Sequence, residues 1–308
     1  MHSFVSMRDL SKDNILDILK LANEFKNGFK SDILKDKVIA SCFFEASTRT
    51  RLSFDSAIAY LGGKSIGFTE SGNTSLGAKG ESLVDTLKII AGYADALIIR
   101  HPLDGAAVLA QEICSIPVIN AGDGANQHPT QTLLDLFSIF ETQGSLDGVS
   151  LGIMGDLKYS RTVHSLLYAA TLFNMKLYFI SPPSLHMKDE QLFILKQSGV
   201  QYSFHADVSD VIGKLDCLYL TRLQKERFDL SVPDLSVPDL SVPDLSVPEN
   251  YKLSLSMLDN AKPNLKILHP LPRQGELPIE IDNTPYAYYF QQAQNGLYVR
   301  QAILSLLF

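Results

Sequence analysis

Cysteine is scarce and basic charge is in the minority. The 308 residues include three cysteines, Cys42, Cys114 and Cys217, far apart and set in or near apolar runs. Their spacing matches no C-x-x-C zinc or redox pair, and an odd count is a poor basis for a disulfide framework. Acidic residues outnumber basic ones, 34 to 27, for a formal charge of −7. A nucleic-acid footprint is basic, so no nucleic acid is expected as a general partner. No apolar run reaches the roughly 20 residues of a membrane helix. The chain start also lacks a cationic segment followed by an apolar one, so a cytoplasmic protein away from membranes is expected. There is no G-x-x-x-x-G-K-[ST] loop and no clustered His/Cys/Asp/Glu spacing for zinc. Ile153-Met154-Gly155-Asp156 carries only part of a dinucleotide turn's glycine pattern. Neither a metal nor a cofactor is expected.

What is present describes a globular α/β protein. Hydrophobic residues make up 45% and charged residues 20% of a chain longer than one core usually supports, so two domains are expected. Ser11 reads as a helix N-cap with Leu10 and Ile15 as a hydrophobic staple, and Ile15, Ile18, Leu19 and Ala22 form the buried stripe. Strands are expected at 38–44, 65–68, 96–99 and 118–120. They alternate with helices at 48–61 and 106–112 and with one carrying Leu83, Leu87 and Ile90, while 70–80 reads as a polar loop. A helix over 133–140 can join two domains. The series then restarts with strands at 150–154, 176–180, 217–220 and 266–268, and helices at 162–173 and 190–198. A closing helix is expected over 295–308, docked through Leu297, Val299, Ile303, Leu306 and Leu307. Such alternation means parallel βαβ units whose ligands sit beyond the carboxyl ends of the strands. The fold class is α/β with two domains, each a mostly parallel sheet flanked by helices. The active site is expected in the crevice between them, with the C-terminal helix packing back. Domain boundaries are expected at 1–132, joined by about 286–308, and at 133–285.

The chemistry-bearing residues concentrate at those strand ends. Ser47-Thr48-Arg49-Thr50-Arg51 follows a buried strand and opens a helix, so backbone N–H groups, hydroxyls and guanidinium forks surround one point. The helix dipole adds positive potential, and the natural guest is a phosphate or carboxylate. The plainer alternative is a Ser N-cap with two solvated arginines, although arginine on a first turn opposes the dipole. Arg100-His101-Pro102, His128-Pro129-Thr130-Gln131, Lys158-Tyr159-Ser160-Arg161, Arg222-Leu223-Gln224 and His269-Pro270-Leu271-Pro272-Arg273 stand at further strand ends or loops. Each alone has a bland reading, such as a strand-end charge or a solvent-facing arginine. Together they are rich in donors and poor in nucleophiles. That suits a substrate bringing its own leaving phosphate and amine, with catalysis by positioning and by stabilisation of developing negative charge.

Four copies of Asp-Leu-Ser-Val-Pro occupy 229–248. Proline at every fifth residue forbids an α-helix, and the period is too short for solenoid repeats. A mobile surface loop is expected there, with a repeated binding motif as the sharper alternative.

With these motifs in view, the chain resembles the aspartate/ornithine carbamoyltransferase family, from Met7-Arg8-Asp9-Leu10 to the last helix, except in the repeat. Ser-Thr-Arg-Thr-Arg and His-Pro-Thr-Gln resemble the family at large. Thr221-Arg222-Leu223-Gln224-Lys225-Glu226-Arg227 and His269 to Arg273 resemble its aspartate branch; the ornithine branch typically has a cysteine where Pro270 stands. The resemblance implies transfer of the carbamoyl group of carbamoyl phosphate to L-aspartate, the second step of pyrimidine (UMP) synthesis. It implies that Ser47, Thr48, Arg49 and Thr50 hold the phosphate, and that Thr50, Arg100 and His128 donate to the carbonyl oxygen. Gln131 and the carbonyls of Pro270 and Leu271 would orient the carbamoyl nitrogen and the amine, with Leu271 and Pro272 part of the carbamoyl phosphate site. Arg161, Arg222 and Gln224 would bind aspartate, together with Lys79. Ser75 and Lys79 would reach from a neighbouring subunit of a homotrimer, and Glu45 would pair with Arg161 and Arg227 on domain closure. Ala78 stands where some relatives have a second lysine. A separate regulatory chain stays open. So do two rival readings: a carbamoyltransferase for another amino acid, and a non-catalytic homologue kept as a scaffold.

Overall fold

Strand–helix alternation produces two separate, all-parallel sheets. The structure, a computed structural model, describes residues 2–69, 72, 74–222 and 251–308. Gln224, Arg227 and the 229–248 repeat lie outside the described residues. By contacts along the chain there are two units. One is Met1–Asp147 with Arg161–Asn174 and Tyr289–Phe308, and the other is Gly148–Ser160 with Met175–Tyr288.

In the first unit the elements run α1 (Lys12–Lys26), β1 (Val38–Phe43), α2 (Thr48–Tyr60), β2 (Lys64–Thr69), α3 (Ser75–Lys79), α4 (Leu83–Ala91), β3 (Ala96–His101), α5 (Ala106–Ile113), β4 (Val118–Asp123) and α6 (Pro129–Gln143). Helix α7 (Arg161–Leu172) and the C-terminal helix α9 (Tyr289–Ser305) join them. The sheet order is β2-β1-β3-β4. Strands β1, β3 and β4 are apolar and almost wholly buried, as parallel strands covered on both faces must be. β2 is the exposed edge.

The second unit holds β5 (Ser150–Met154), β6 (Lys176–Ile180), α8 (Asp189–Ser198), β7 (Tyr202–His205), β8 (Cys217–Leu220) and β9 (Lys266–Leu268), in the order β7-β6-β5-β8-β9. β7 was not legible in the sequence: it is short, contains Ser203, and none of its residues is buried.

Helix α1 has the expected start. Ser11 Oγ accepts from the Asn14 N–H and the Asn14 side chain accepts from the Ser11 N–H, a reciprocal cap. Its stripe of Ile15, Ile18, Leu19 and Ala22 is buried. The C-terminal helix begins at Tyr289, between the expected start of the closing segment at about 286 and that of its apolar docking stretch at 295. It packs against α1, α2 and α6 while burying Gln292, Asn295 and Arg300. Buried polar residues on that face blur the apolar period by which such a helix is recognised.

The strand orders decide where a ligand can sit. From β1 the first sheet proceeds outward to β2, then resumes on the other side with β3. The reversal falls between the carboxyl ends of β1 and β3. In the second sheet it falls between β5 and β8. Open parallel sheets bind ligands at such reversals, where loops leave neighbouring strands in opposite directions. The 47–51 turn and Arg100 flank the first reversal; the 155–160 loop and Arg222 flank the second.

Candidate active site

At the first reversal, β1 runs into α2 through Ser47, which caps the helix from an extended conformation with its hydroxyl not spent on a cap hydrogen bond. No acidic side chain sits in the first turn of α2. Thr48 and Arg49 are exposed, Ser47 is half-buried and Thr50 is buried. Arg51 turns aside to Asp55 one turn on, Nε to Oδ2 3.3 Å. The helix start therefore offers hydroxyls, N–H groups and Arg49, a donor set suited to an anion.

Glu45, just ahead of this turn, ties two arginines together. Its carboxylate oxygens lie 3.4 Å from Arg100 and 3.3 Å from Arg161. Arg100, at the end of β3, also approaches the Ala121 carbonyl at 3.5 Å. Arg161, buried, donates to the Gly124 carbonyl at 2.9 Å. The expected Glu45–Arg161 pair is present and Arg100 joins it, while Arg227 lies outside the described residues.

The loop from β4 to α6 brings His128 and Gln131 to the same end of the sheet. Asn120 and Asp123 knit it: the Asn120 amide donates to Val5 O and Asp123 Oδ1, and Asp123 accepts from the N–H groups of Gly105 and Gln127. His128 is the N-cap of α6, followed by proline at the first helical position. Its N–H donates to Ser165 Oγ at 2.9 Å, which anchors the α6 start to α7. Gln131, also buried, donates its amide to Asp135 Oδ1 at 2.8 Å. His101 is held below its ordinary pKa, chiefly by burial and against the pull of Asp123 and Glu45; its Nδ1 accepts the Leu103 N–H.

Gly122 makes this crowding possible. Its φ is +116°, and a Cβ there would stand 3.1 Å from Arg161 Cζ and 3.3 Å from His128 Cδ2. A side chain at this point is strained by the backbone and pushes on two site residues at once. Gly122→Ala is expected to cost about 1–3 kcal/mol of stability and to lower activity. Thermal melting and kcat measure this, and no change in either contradicts it.

In the second unit, Asp156 shapes the loop after β5. Its Oδ1 accepts from the N–H groups of Lys158 and Tyr159, and its own N–H donates to Thr221 Oγ1 at the end of β8. Arg222 follows at once and is half-buried. After β9, the His269-to-Arg273 stretch is held by two buried groups. The Leu271 N–H donates to His269 Nδ1 at 2.8 Å, which leaves Nε2–H to donate to Glu276 at 2.8 Å. Burial opposes ionisation of Glu276, but His269 and the N–H groups of Glu276 and Gln274 outweigh it and keep its pKa below the ordinary value. Leu271 has φ +54° and precedes a cis bond to Pro272. Arg273 makes a two-pronged ion pair with Asp282 at 2.5 and 2.8 Å. It is occupied in holding the loop.

Comparison with known proteins shows the family. Residues 2–141 match the carbamoyl-P binding domain of aspartate/ornithine carbamoyltransferases, and residues 147–307 match their Asp/Orn binding domain. The chain belongs to the aspartate/ornithine carbamoyltransferase family. Among its relatives, the aspartate carbamoyltransferase catalytic subunit of Wigglesworthia glossinidia brevipalpis is 55% identical over 98% of this chain and 94% of its own. The solved catalytic subunit of M. jannaschii aspartate transcarbamoylase superposes with a TM-score of 0.87 at 42% identity, covering 100% of this chain and 98% of that one. The Trypanosoma cruzi aspartate transcarbamoylase, solved in complex with carbamoyl phosphate and aspartate, gives 0.87 at 33% identity over 98% of this chain and 94% of that one.

For a carbamoyltransferase the grouping of the expected site residues is informative. Ser47, Thr48, Arg49, Thr50, Arg100, His128, Gln131 and Glu45 share the carboxyl end of the first sheet, with Arg161 on α7 beside them. Arg222, Pro270, Leu271 and Pro272 share that of the second. Ser75 and Lys79 stand apart on α3, a helix with no buried side chain that replaces part of the expected polar loop. Thr74 caps it and Gly80 ends it in a left-handed conformation. Sequence reasoning missed Asn120, Gly122, Asp123 and Asp135. The Asn-x-Gly-Asp-Gly turn hinted at the first three; nothing in the sequence singled out Asp135.

Proposed function

We propose that this chain is the catalytic chain of an aspartate carbamoyltransferase, moving the carbamoyl group of carbamoyl phosphate to the amine of L-aspartate. The observation that carries the reading is the donor-rich set gathered at the first sheet's reversal; Arg222, at the second sheet's own reversal, adds a fork for a carboxylate. High identity to relatives of that name supports it. The amine nitrogen attacks the carbonyl carbon, a C–N bond forms, and the C–O bond to phosphate breaks with its electron pair leaving on the phosphate oxygen. The amine's proton passes to the departing phosphate or to water. No protein nucleophile is needed. The work is orientation and charge stabilisation.

In this reading Ser47, Thr48, Arg49 and Thr50 hold the phosphate, and Arg49 also neutralises the leaving oxygen. Thr50, Arg100 and His128 donate to the oxyanion. Gln131 and the carbonyls of Pro270 and Leu271 accept from the carbamoyl nitrogen and the amine, and Leu271 and Pro272 line the carbamoyl phosphate site. Arg161 and Arg222 bind the two carboxylates of aspartate with help from Gln224, because planar forks match carboxylates two-pronged. Glu45 and Arg227 belong to domain closure. Residues 1–132 with about 286–308 form the carbamoyl-phosphate-binding domain, and 133–285 the aspartate-binding domain. The product feeds pyrimidine synthesis in the cytoplasm.

The functional unit in this reading is a homotrimer, to which a regulatory chain can be added. Ser75 and Lys79, exposed on α3, act in the neighbouring subunit's site, where Lys79 meets aspartate. Complementation tests the shared site. Arg49→Ala and Lys79→Ala trimers are each expected to form little N-carbamoyl-L-aspartate. Mixing the two chains restores activity, because some sites then receive neither substitution. Mixed trimers as inactive as their parents would contradict it.

A further inference from the structure

The side chain assigned to the carbamoyl nitrogen and the amine is an amide, and an amide has two unlike ends of nearly the same shape. Only the oxygen of Gln131 can accept an N–H; its nitrogen turned the same way would set donor against donor. Something must therefore decide which end faces the substrate. Gln131 Nε2 lies 2.8 Å from Asp135 Oδ1, one helical turn along α6, and both residues are buried. An ionised carboxylate only accepts, so the amide nitrogen is drawn to it and the oxygen is turned away. The same Oδ1 accepts a second amide, Gln292 Nε2 of the C-terminal helix, at 2.6 Å.

A second residue of the C-terminal helix also bears on Asp135. Arg300, fully buried on the same helix, interacts electrostatically with it, and although burial pulls the guanidinium down to about 9 it is cationic at neutral pH. Arg300 also lies over the Phe54 ring of α2 at 4.9 Å and donates to Thr130 Oγ1 at 3.3 Å. Gln292 and Arg300 thus bring two buried polar groups of the C-terminal helix against α6. Buried polar groups are costly, and a cluster of them here calls for a reason beyond packing.

We propose that Asp135 is a positioning residue for carbamoyl transfer, fixing the Gln131 carboxamide with its oxygen toward the carbamoyl nitrogen and the attacking amine. The C-terminal helix contributes through Gln292, which holds the same carboxylate oxygen. The inference rests on the reading of Gln131 as a substrate-binding group.

The test is a double-mutant cycle in the full-length protein, assayed with carbamoyl phosphate and aspartate. Asp135→Leu in the wild-type background is expected to lower kcat about 10- to 100-fold, with a much smaller change in the carbamoyl phosphate KM. In a Gln131→Ala background the same substitution changes kcat by less than about twofold, because the group it positions is gone. Asp135→Asn keeps the shape but can donate as well as accept, so it fixes the amide less well and is expected to give a kcat between those of the wild type and Asp135→Leu. If Asp135→Leu does not fold, Asp135→Ser, whose hydroxyl can bond to its own helix, goes through the same cycle. Equal losses in both backgrounds overturn the proposal, because Asp135 then acts through something other than Gln131. A Gln131→Ala variant with unchanged kcat overturns it at its base. A wild-type protein forming no carbamoyl-aspartate would instead sink the functional reading itself.

Discussion

Arg49→Ala is expected to lower kcat about 10²–10³-fold while the melting temperature stays at its wild-type value. The two halves of this expectation have separate physical grounds. Arg49 stands exposed on the first turn of α2, a helix whose start carries no acidic side chain. Its charge there works against the helix dipole, so removing it does not weaken the helix. In the proposed reading its use is for a guest. The leaving phosphate gains charge on the bridging oxygen as the C–O bond breaks, and a guanidinium next to that oxygen stabilises the transition state more than the ground state. Such differential contacts act on kcat. Steady-state kinetics with a parallel thermal melt separate the outcomes. A lower melting temperature with an unaltered kcat would make Arg49 a structural residue and return the 47–51 turn to an ordinary capped helix start.

Arg222→Ala should behave differently. Arg222 stands just beyond the end of β8, beside the loop that Asp156 organises, and it is assigned to a carboxylate of aspartate, which is charged before, during and after the reaction. Loss of a ground-state contact appears in KM. Truncating one partner of a hydrogen-bonded charge pair costs about 2–5 kcal/mol, so the aspartate KM should rise on the order of 100-fold. The phosphate-binding residues at the first sheet should be left intact. Equilibrium binding of carbamoyl phosphate by the variant checks this independently. Unchanged aspartate saturation would remove Arg222 from the acceptor site and reopen the choice of acceptor.

Much of this was legible in the sequence because parallel α/β proteins write their architecture in local terms. The buried strands β1, β3, β4 and β5 are apolar runs between turn residues, and the donors cluster within a few positions of where those runs end. The 47–51 turn, Arg100 and Arg222 could therefore be placed at strand ends before any coordinates. Which strand ends lie at the sheet reversals is a matter of strand order, and strand order is not local. The structure adds that both donor sets fall at the reversals.

The unread parts share a cause. The Glu45–Arg100 and Glu45–Arg161 pairs join residues distant in sequence, and no local spacing announces them. Asp135 looks like one polar residue in an apolar helix until Gln292, 157 positions later, is seen to donate to the same oxygen as Gln131. The start of the C-terminal helix was blurred by the same buried polar residues. Edge strand β7 and the exposed helix α3 have little apolar surface to mark them. Tertiary pairing decides these features.

The acceptor is tested most directly by supplying the purified full-length protein with carbon-13-labelled carbamoyl phosphate and equal L-aspartate and L-ornithine, and following the label by NMR. The label is expected to appear in N-carbamoyl-L-aspartate, with one phosphate released per carbamoyl group transferred. Label in carbamoylated ornithine, or phosphate released with no new C–N bond, would contradict an aspartate carbamoyltransferase.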